Sequence, residues 1–278
     1  RQVRRSLVAL GTGGGDRMID PELFGFRNWV ENPLQVLSFG GGVQSTAMLL
    51  YIKDGLLPKP DLVIHADTGA EMPETVKHIE EWVIPFCEKI GLPFQIVDSH
   101  RGTIYDDYFK KGAIPIMGQR SCTANFKIAP QRRAIRKIVG AGGGKLLAEC
   151  WLGITTDEER RRSKSNVKWC GITFPLLDLH RVSREDCLTR LAKEGLEVFK
   201  SGCFHCPYAG SNFYIELREK HNDLFLQALA LESNAENRVL ERSGKPLRMG
   251  LVQGKKLSDL DNLKLPDSQC DSGAGCFI

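Results

Sequence analysis

A glycine-rich stretch near the start of the chain combines residues that could bind phosphate. The apolar run at 34–37 predicts a buried strand, glycines occupy 40–42, and an apolar pattern with helical spacing begins at 47. Glycines let the backbone approach a ligand closely, and the N-terminus of a helix attracts anions. We therefore expect a phosphate- or pyrophosphate-binding loop, with an ordinary glycine turn as the alternative. Its candidate binding residues are Ser38, Phe39, Gly40, Gly41, Gly42, Gln44, Ser45 and Thr46.

Two common phosphate loops differ from this stretch. A Walker A loop carries a lysine before its final serine or threonine, and no lysine lies between Ser38 and Ile52. The dinucleotide-binding fingerprint needs its third glycine at the position that Ser45 occupies.

Cysteines provide a second kind of chemistry. Cys203 and Cys206 are separated by two residues, a spacing that lets two thiolates bind one metal. The chain has 9 cysteines and lacks the signal-peptide pattern of a disulfide-rich secreted protein. We therefore expect metal or cluster ligation in a reducing compartment, the cytoplasm. The cysteines in apolar contexts are expected to be buried small hydrophobes: Cys87, Cys150, Cys170 and Cys187.

The rest of the chain alternates predicted strands and helices. Further strands are expected at 61–66, 94–97 and 145–152, with an amphipathic helix at 74–90 and a basic helix at 131–139. This alternation predicts a doubly wound, mostly parallel α/β sheet, in which ligands bind at the carboxyl ends of the strands. A C-terminal helical extension that carries cysteines completes the predicted fold. The expected domains are an N-terminal arm at 1–32, a nucleotide-binding domain at 33–200 and the C-terminal region at 201–278.

Composition sets broad limits on the partners. The net charge of +4 makes the chain mildly basic, which permits a nucleic-acid partner without requiring one. Arg160 and Arg161 follow the strand expected at 145–152. Their guanidinium groups can form bidentate hydrogen bonds with polyanions. A solvated, charged helix start explains the two arginines equally well. No apolar run approaches the length of a membrane span, so we expect no membrane partner.

Six sequence motifs follow one another along the chain in this order: SFGGGVQST, HADTGAEMPET, RSCTANFKIAP, LGITTDEERRR, FPLLD and GCFHCPY. Together they resemble the phosphoadenosine phosphosulfate (PAPS) reductase-like branch of the PP-loop ATP pyrophosphatase superfamily. The resemblance implies the HUP-like adenine nucleotide α-hydrolase fold and ATP with Mg²⁺ on the glycine loop. It places Ala66, Asp67, Thr68 and Gly153 beside the adenosine. The loop departs from the family's Ser-Gly-Gly-x-Asp-Ser form, because Gly40 replaces the first serine and Gln44 the aspartate.

The same resemblance implies a [4Fe–4S] cluster and sulfur transfer. Cys122 matches the upstream ligand of cluster-bearing relatives, Cys203 and Cys206 follow, and Cys270 or Cys276 would complete the set. The nearest pattern is that of iron–sulfur enzymes of DNA phosphorothioation and tRNA thiolation. It implies substrate adenylation with release of pyrophosphate. The implied catalytic residues are Gln44, Ser45, Arg160 and Arg161, and the implied partners are a tRNA or DNA substrate, a sulfur-donor protein and a second copy of the chain.

Three alternatives stay open. The chain could reduce PAPS or adenylyl sulfate, although its tail reads Gln269-Cys270-Asp271 where such reductases carry a Glu-Cys-Gly-Leu/Ile-His type motif. The metal could instead be a structural zinc on the cysteine pairs at 203/206 and 270/276. The loss of the loop aspartate at Gln44 also suits a non-catalytic accessory protein that binds nucleotide or nucleic acid.

Overall fold

A computed structural model describes residues 27–252 and 255–260, so Cys270 and Cys276 and most of the predicted N-terminal arm lie outside the described residues. Five strands form one sheet in the order β3-β2-β1-β4-β5. β1 runs parallel to both of its neighbours, and β5 runs parallel to β4. The strands are β1 Leu34–Phe39, β2 Leu62–Asp67, β3 Phe94–Asp98, β4 Ala148–Trp151 and β5 Cys170–Thr173.

Helices connect and extend the strands. They are α1 Val43–Lys53, α2 Pro73–His78, α3 Ile84–Lys89, α4 Ile104–Lys111, α5 Ser121–Thr123, α6 Ala129–Val139, α7 Pro175–Asp178, α8 Arg184–Lys193, α9 Ser211–Lys220 and α10 Asn222–Ser243. Two π-helical segments, Ile79–Val83 and Ala124–Ile128, and two 3₁₀ segments, Thr156–Arg161 and Leu257–Leu260, complete the set for the described ranges. None of the helices seen in these ranges combines the length and apolar character needed to cross a membrane.

The described residues divide into two compact units. The first, called here the sheet unit, contains residues up to Ala66, Pro73–Asp98 and Ala129–Ser201. The second unit contains Asp67–Met72, Ser99–Ile128 and the residues from Gly202 onward. The second unit therefore takes two segments from the middle of the chain besides its C-terminal part, and no change of composition marks those segments in the sequence.

Helices cover both faces of the sheet. Strand side chains alternate between faces, so Val36 and Leu37 enter different apolar clusters. Val36 packs in the cluster that includes Ile135 of α6, whereas Leu37 packs in the cluster that includes residues of α1, α3 and α8. The fold is therefore the predicted doubly wound α/β sheet. The chain adds β2 and β3 on one side of β1 and β4 and β5 on the other, so the topological switch point lies between β1 and β4. In such folds ligands bind beyond the carboxyl ends of the strands at this point.

A buried carboxylate of α10 accepts hydrogen bonds from the backbone of the segment that follows this helix. Glu232 is 3% exposed, and its two oxygens accept hydrogen bonds from the backbone N–H groups of Leu251 and Leu257 at 2.6 and 2.7 Å. Burial raises the pKa of this carboxyl, and the two backbone hydrogen bonds oppose that rise. One side chain thus fixes the segment after α10 against the helix.

Glu232→Gln tests this closure. A glutamine can accept through only one atom, so one buried backbone N–H would face an NH₂ group. We expect the free energy of unfolding in urea to fall by about 1–3 kcal/mol. Glu241→Gln, at an exposed position of the same helix, is the matched control and should leave stability nearly unchanged. Equal stability of both variants would contradict the role of Glu232.

Candidate functional site

The glycine loop leads directly from β1 into α1. Gly41 has φ +75, a left-handed conformation that glycine adopts without strain. Gly42 occupies the N-cap position of α1. The first N–H groups of a helix have no acceptor within the helix, and Gly42 has no side chain that could accept from them. The start of α1 can therefore donate to an anion, as the sequence predicts.

Two neighbouring side chains pack closely against the glycines of this loop. A Cβ atom added at Gly41 would lie 2.6 Å from Cγ2 of Thr75, and one added at Gly42 would lie 2.6 Å from Oγ of Ser201. Both distances are shorter than carbon and oxygen atoms tolerate. Gly41 is therefore favoured by its conformation and by packing, whereas Gly42, with φ -105, is favoured by packing against Ser201 alone.

The hydroxyl groups of Ser45 and Thr46 contact the loop's own backbone. Each lies 3.0 Å from the carbonyl oxygen of Gly42. Ser45 is 7% exposed and Thr46 is fully buried. In this geometry both hydroxyls stabilise the shape of the loop, and their contact with a ligand stays a prediction.

Gln44 connects the loop with the segment after β4. Its Nε2 approaches Oε2 of Glu158 at 3.5 Å, and the same oxygen lies 2.7 Å from Nη1 of Arg161. Gly153 packs so closely that its Cβ position would lie 3.1 Å from Cβ of Gln44. The structure therefore brings together three predicted site residues, while Arg160 is exposed. Glu158 was missed by the sequence reasoning, although its place in the motif LGITTDEERRR offered a signal.

A buried amide lies beside the end of β1. Ser38 donates from its hydroxyl to Oε1 of Gln131 at 2.8 Å, and Gln131 is 5% exposed. Nε2 of Gln131 has no hydrogen-bond partner within the described ranges, and the same holds for the hydroxyls of Thr75 and Thr155. Buried polar atoms are nearly always hydrogen-bonded. The three atoms therefore fit a polar ligand that binds near the carboxyl ends of the strands. The sequence carries no motif that points to Gln131.

The residues predicted to border adenosine fall in both units. Ala66 is buried in the sheet unit. In the second unit, Oδ1 of Asp67 accepts from the N–H of Gly69 at 2.7 Å. The hydroxyl of Thr68 donates to Glu71 at 2.7 Å and lies 3.6 Å from the sulfur of Cys203. Their role toward adenosine stays a prediction.

The Cys203–Cys206 turn is built into the second unit. Cys206 donates from its N–H to the carbonyl of Cys203 at 3.1 Å, and Phe204 donates to the carbonyl of Ala70 at 3.0 Å. Cys122 is buried in the same apolar cluster as the two turn cysteines. The three described cysteines of the predicted ligand set therefore share one apolar cluster of the second unit.

The donor chemistry of this region suits a soft metal, and the arrangement is incomplete. In the part of the chain that the structure describes, no group of three Cys, His, Asp or Glu side chains is placed to bind a metal ion. His205 lies between the turn cysteines, and burial lowers its pKa to about 4. Both ring nitrogens of His205 lack a hydrogen-bond partner among the described residues. Thiols and an imidazole in an apolar environment fit a cluster or zinc by type of donor.

The other four cysteines lie in the sheet unit. Cys87, Cys170 and Cys187 are buried, as expected, and burial raises the pKa of Cys87 and of Cys187 to about 12. Cys150 is only half-buried, and its sulfur lies 3.4 Å from that of Cys170 on the neighbouring strand.

The comparisons identify the family. Residues 35–181 match the phosphoadenosine phosphosulfate reductase domain family. Because the match spans more than half of the 278 residues, the chain belongs to this family, and it is an enzyme of the PAPS reductase-like, PP-loop class. No curated protein matches the chain. Among solved structures, it is similar to the U34-tRNA thiolase NcsA from Methanococcus maripaludis with its [4Fe-4S] cluster, at 17% identity and TM-score 0.39, covering 90% of this chain and 88% of that one.

Two glycine variants separate the energetic cost of the left-handed conformation from the cost of packing against Thr75. Gly55 has φ +73 with open space around its Cβ position, whereas Gly41 has φ +75 and Thr75 close by. We expect Gly55→Ala to lower the free energy of unfolding by about 1–2 kcal/mol, the cost of a left-handed alanine. Gly41→Ala should cost more, because Thr75 must also move. Equal losses in urea denaturation would show that Thr75 does not constrain the loop.

Proposed function

We propose that this enzyme binds ATP with Mg²⁺ on the glycine loop and adenylates a substrate for sulfur transfer, with release of pyrophosphate. One observation carries the proposal: α1 begins immediately after the glycines, at the carboxyl edge of the sheet between β1 and β4. Backbone N–H groups there attract phosphate through hydrogen bonds and the helix dipole. Membership of the PAPS reductase domain family supports sulfur chemistry on an adenine nucleotide.

The residues around the loop have distinct proposed roles. The N–H groups at Gly40–Gly42 and at the start of α1 would hold the β- and γ-phosphates and stabilise charge that develops on them. Gln44 cannot bring a negative charge to Mg²⁺, and Glu158 provides a carboxylate beside it. Arg160 and Arg161 would contact the anionic substrate. In this proposal Glu158, which also pairs with Arg161, would take the place of the family's loop aspartate.

Cys122, Cys203 and Cys206, with Cys270 or Cys276, would hold a [4Fe–4S] cluster. Their support is the type of donor and the shared burial of the three described cysteines. A bound cluster would supply a site for the sulfur that enters the product. A structural zinc on the same thiols is the alternative metal.

The proposed acceptor is a nucleic acid, either tRNA or DNA. The net charge of +4 and the exposed Arg160 are compatible with a polyanion. A sulfur-donor protein and a second copy of the chain are further proposed partners. Reduction of PAPS or adenylyl sulfate is the second candidate function, because it is the activity that the family's description names.

Product analysis separates these functions. Protein purified without oxygen is mixed with ATP, a sulfide source, and either bulk tRNA or DNA. We expect pyrophosphate and AMP in equal amounts, with sulfur in the nucleic acid. The absence of pyrophosphate with every acceptor would contradict adenylation. Sulfite released from PAPS in the presence of a thiol would favour the reductase.

Gln131→Leu tests the nucleotide site through its buried amide. If Nε2 of Gln131 donates to the nucleotide, its loss should weaken ATP binding about tenfold, the value of one buried hydrogen bond. Gln95→Leu is the matched control, because Gln95 is also buried with an unsatisfied amide atom but lies near the start of β3. Calorimetric titration with MgATP measures both. Unchanged affinity in Gln131→Leu would remove Gln131 from the site.

Metal content tests the cysteine assignment. We expect Cys203→Ser and Cys206→Ser to lose most of the iron and the broad absorbance near about 400 nm that a cluster gives. Cys87→Ser, a buried cysteine of the sheet unit, should keep both. Wild-type protein with zinc and no iron would contradict the cluster, and iron retained in both turn variants would contradict the ligands.

A further inference from the structure

The hydroxyl of Thr46 has two possible acceptors. Oγ1 lies 3.0 Å from the carbonyl oxygen of Gly42 and 3.0 Å from Nε2 of His78. A threonine hydroxyl has one proton, so it donates to only one of them at a time. His78 is the last residue of α2, and no sequence motif marked it.

The carbonyl of Gly42 indicates which acceptor is used. It already lies 3.0 Å from the N–H of Thr46 and 3.0 Å from the hydroxyl of Ser45. A carbonyl oxygen has two lone pairs, so these two donors satisfy it. The hydroxyl of Thr46 is the third candidate donor, and it has the imidazole as an alternative. The number of donors around the Gly42 carbonyl oxygen therefore favours donation from the Thr46 hydroxyl to Nε2 of His78.

The surroundings of His78 suit an accepting ring. Burial lowers its pKa, which favours the neutral imidazole. The ring stacks on Trp82 at 5.4 Å and 9°, and Trp82 stacks on Phe86 at 4.5 Å and 17°. This aromatic stack fixes the plane of the ring. With Nε2 accepting, the ring proton resides on Nδ1.

The helix that carries His78 also packs against the glycine loop. Thr75 and Ile79, on either side of it, are the side chains nearest to the Cβ position of Gly41, at 2.6 and 3.6 Å. A π-helical segment begins at Ile79, and such segments occur frequently at functional sites. The loop and the first turn of α1 are therefore in contact with this helix at consecutive turns.

We infer that His78 is a positioning residue of the phosphate loop. By accepting the proton of Thr46, it leaves the Gly42 carbonyl with two donors and fixes the first turn of α1 in the geometry that binds phosphate. This inference rests on the proposed function, because the ligand it serves is the ATP phosphate chain.

Two substitutions separate the hydrogen bond from the ring. His78→Phe keeps an aromatic ring for the stack on Trp82 and removes the acceptor. His78→Gln loses the ring and keeps an acceptor at a reach similar to Nε2. We expect His78→Phe to weaken MgATP binding about tenfold and His78→Gln to stay within about twofold of wild type. Calorimetric titration measures both, and thermal unfolding confirms that each variant is folded.

Several results would overturn the inference. Wild-type affinity in His78→Phe would show that the hydrogen bond does not position the loop. Equal weakening in both variants would assign the effect to ring packing. Thr46→Val combined with His78→Phe should bind no more weakly than the weaker single variant, since both remove one interaction. Additive losses would contradict that shared interaction.

A measurement without nucleotide keeps this test separate from the proposed function. Long-range ¹H–¹⁵N spectra of the histidine rings report which nitrogen carries the proton, and the His78→Gln spectrum identifies the His78 signals. We expect the Nδ1–H form in the wild type and a change toward the Nε2–H form in Thr46→Val. The Nε2–H form in the wild type would refute the inference. Absent ATP binding with an Nδ1–H ring would instead count against the proposed function alone.

Discussion

The close packing of backbone around the start of α1 is the constraint on which the candidate site depends. A Cβ atom at Gly41 or Gly42 would lie 2.6 Å from Thr75 or Ser201, and one at Gly153 would lie 3.1 Å from Gln44, so a side chain at each position would require its neighbour to move. Segments far apart in the sequence thus meet at one helix N-terminus. The first backbone N–H groups of this helix have no acceptor within the helix, and they suit an anion. The hydroxyls of Ser45 and Thr46 lie in the same close packing, each 3.0 Å from the carbonyl oxygen of Gly42.

Much of the sheet unit could be predicted from the sequence because its signals are local. Apolar runs marked β1, β2 and β3. The strand β5 was not predicted, because Cys170–Thr173 is short and mostly half-buried. The helix expected at 74–90 contains a π-helical segment. Helical periodicity cannot indicate that segment.

The candidate site could be predicted only where one motif contained it. The glycines and Gln44 stand together in the sequence, whereas Glu158, Gln131 and His78 reach the loop through long-range contacts. The cysteines show the same limit. The spacing of Cys203 and Cys206 identified a pair of thiols, and only the fold shows Cys122 buried in the same cluster. Neither Thr68 nor Glu71 was expected near Cys203, and their contacts follow from the packing of 67–72 in the second unit.

Hydrogen–deuterium exchange with and without MgATP tests the central claim most directly, because it reads the backbone N–H groups themselves. If the loop binds the phosphates, saturating MgATP slows exchange in peptides that contain Gly40–Thr46. Peptides from α8, Arg184–Lys193, exchange unchanged and serve as the internal reference. Protection confined to other segments, or unchanged exchange at the loop while calorimetry detects bound ATP, would contradict the account.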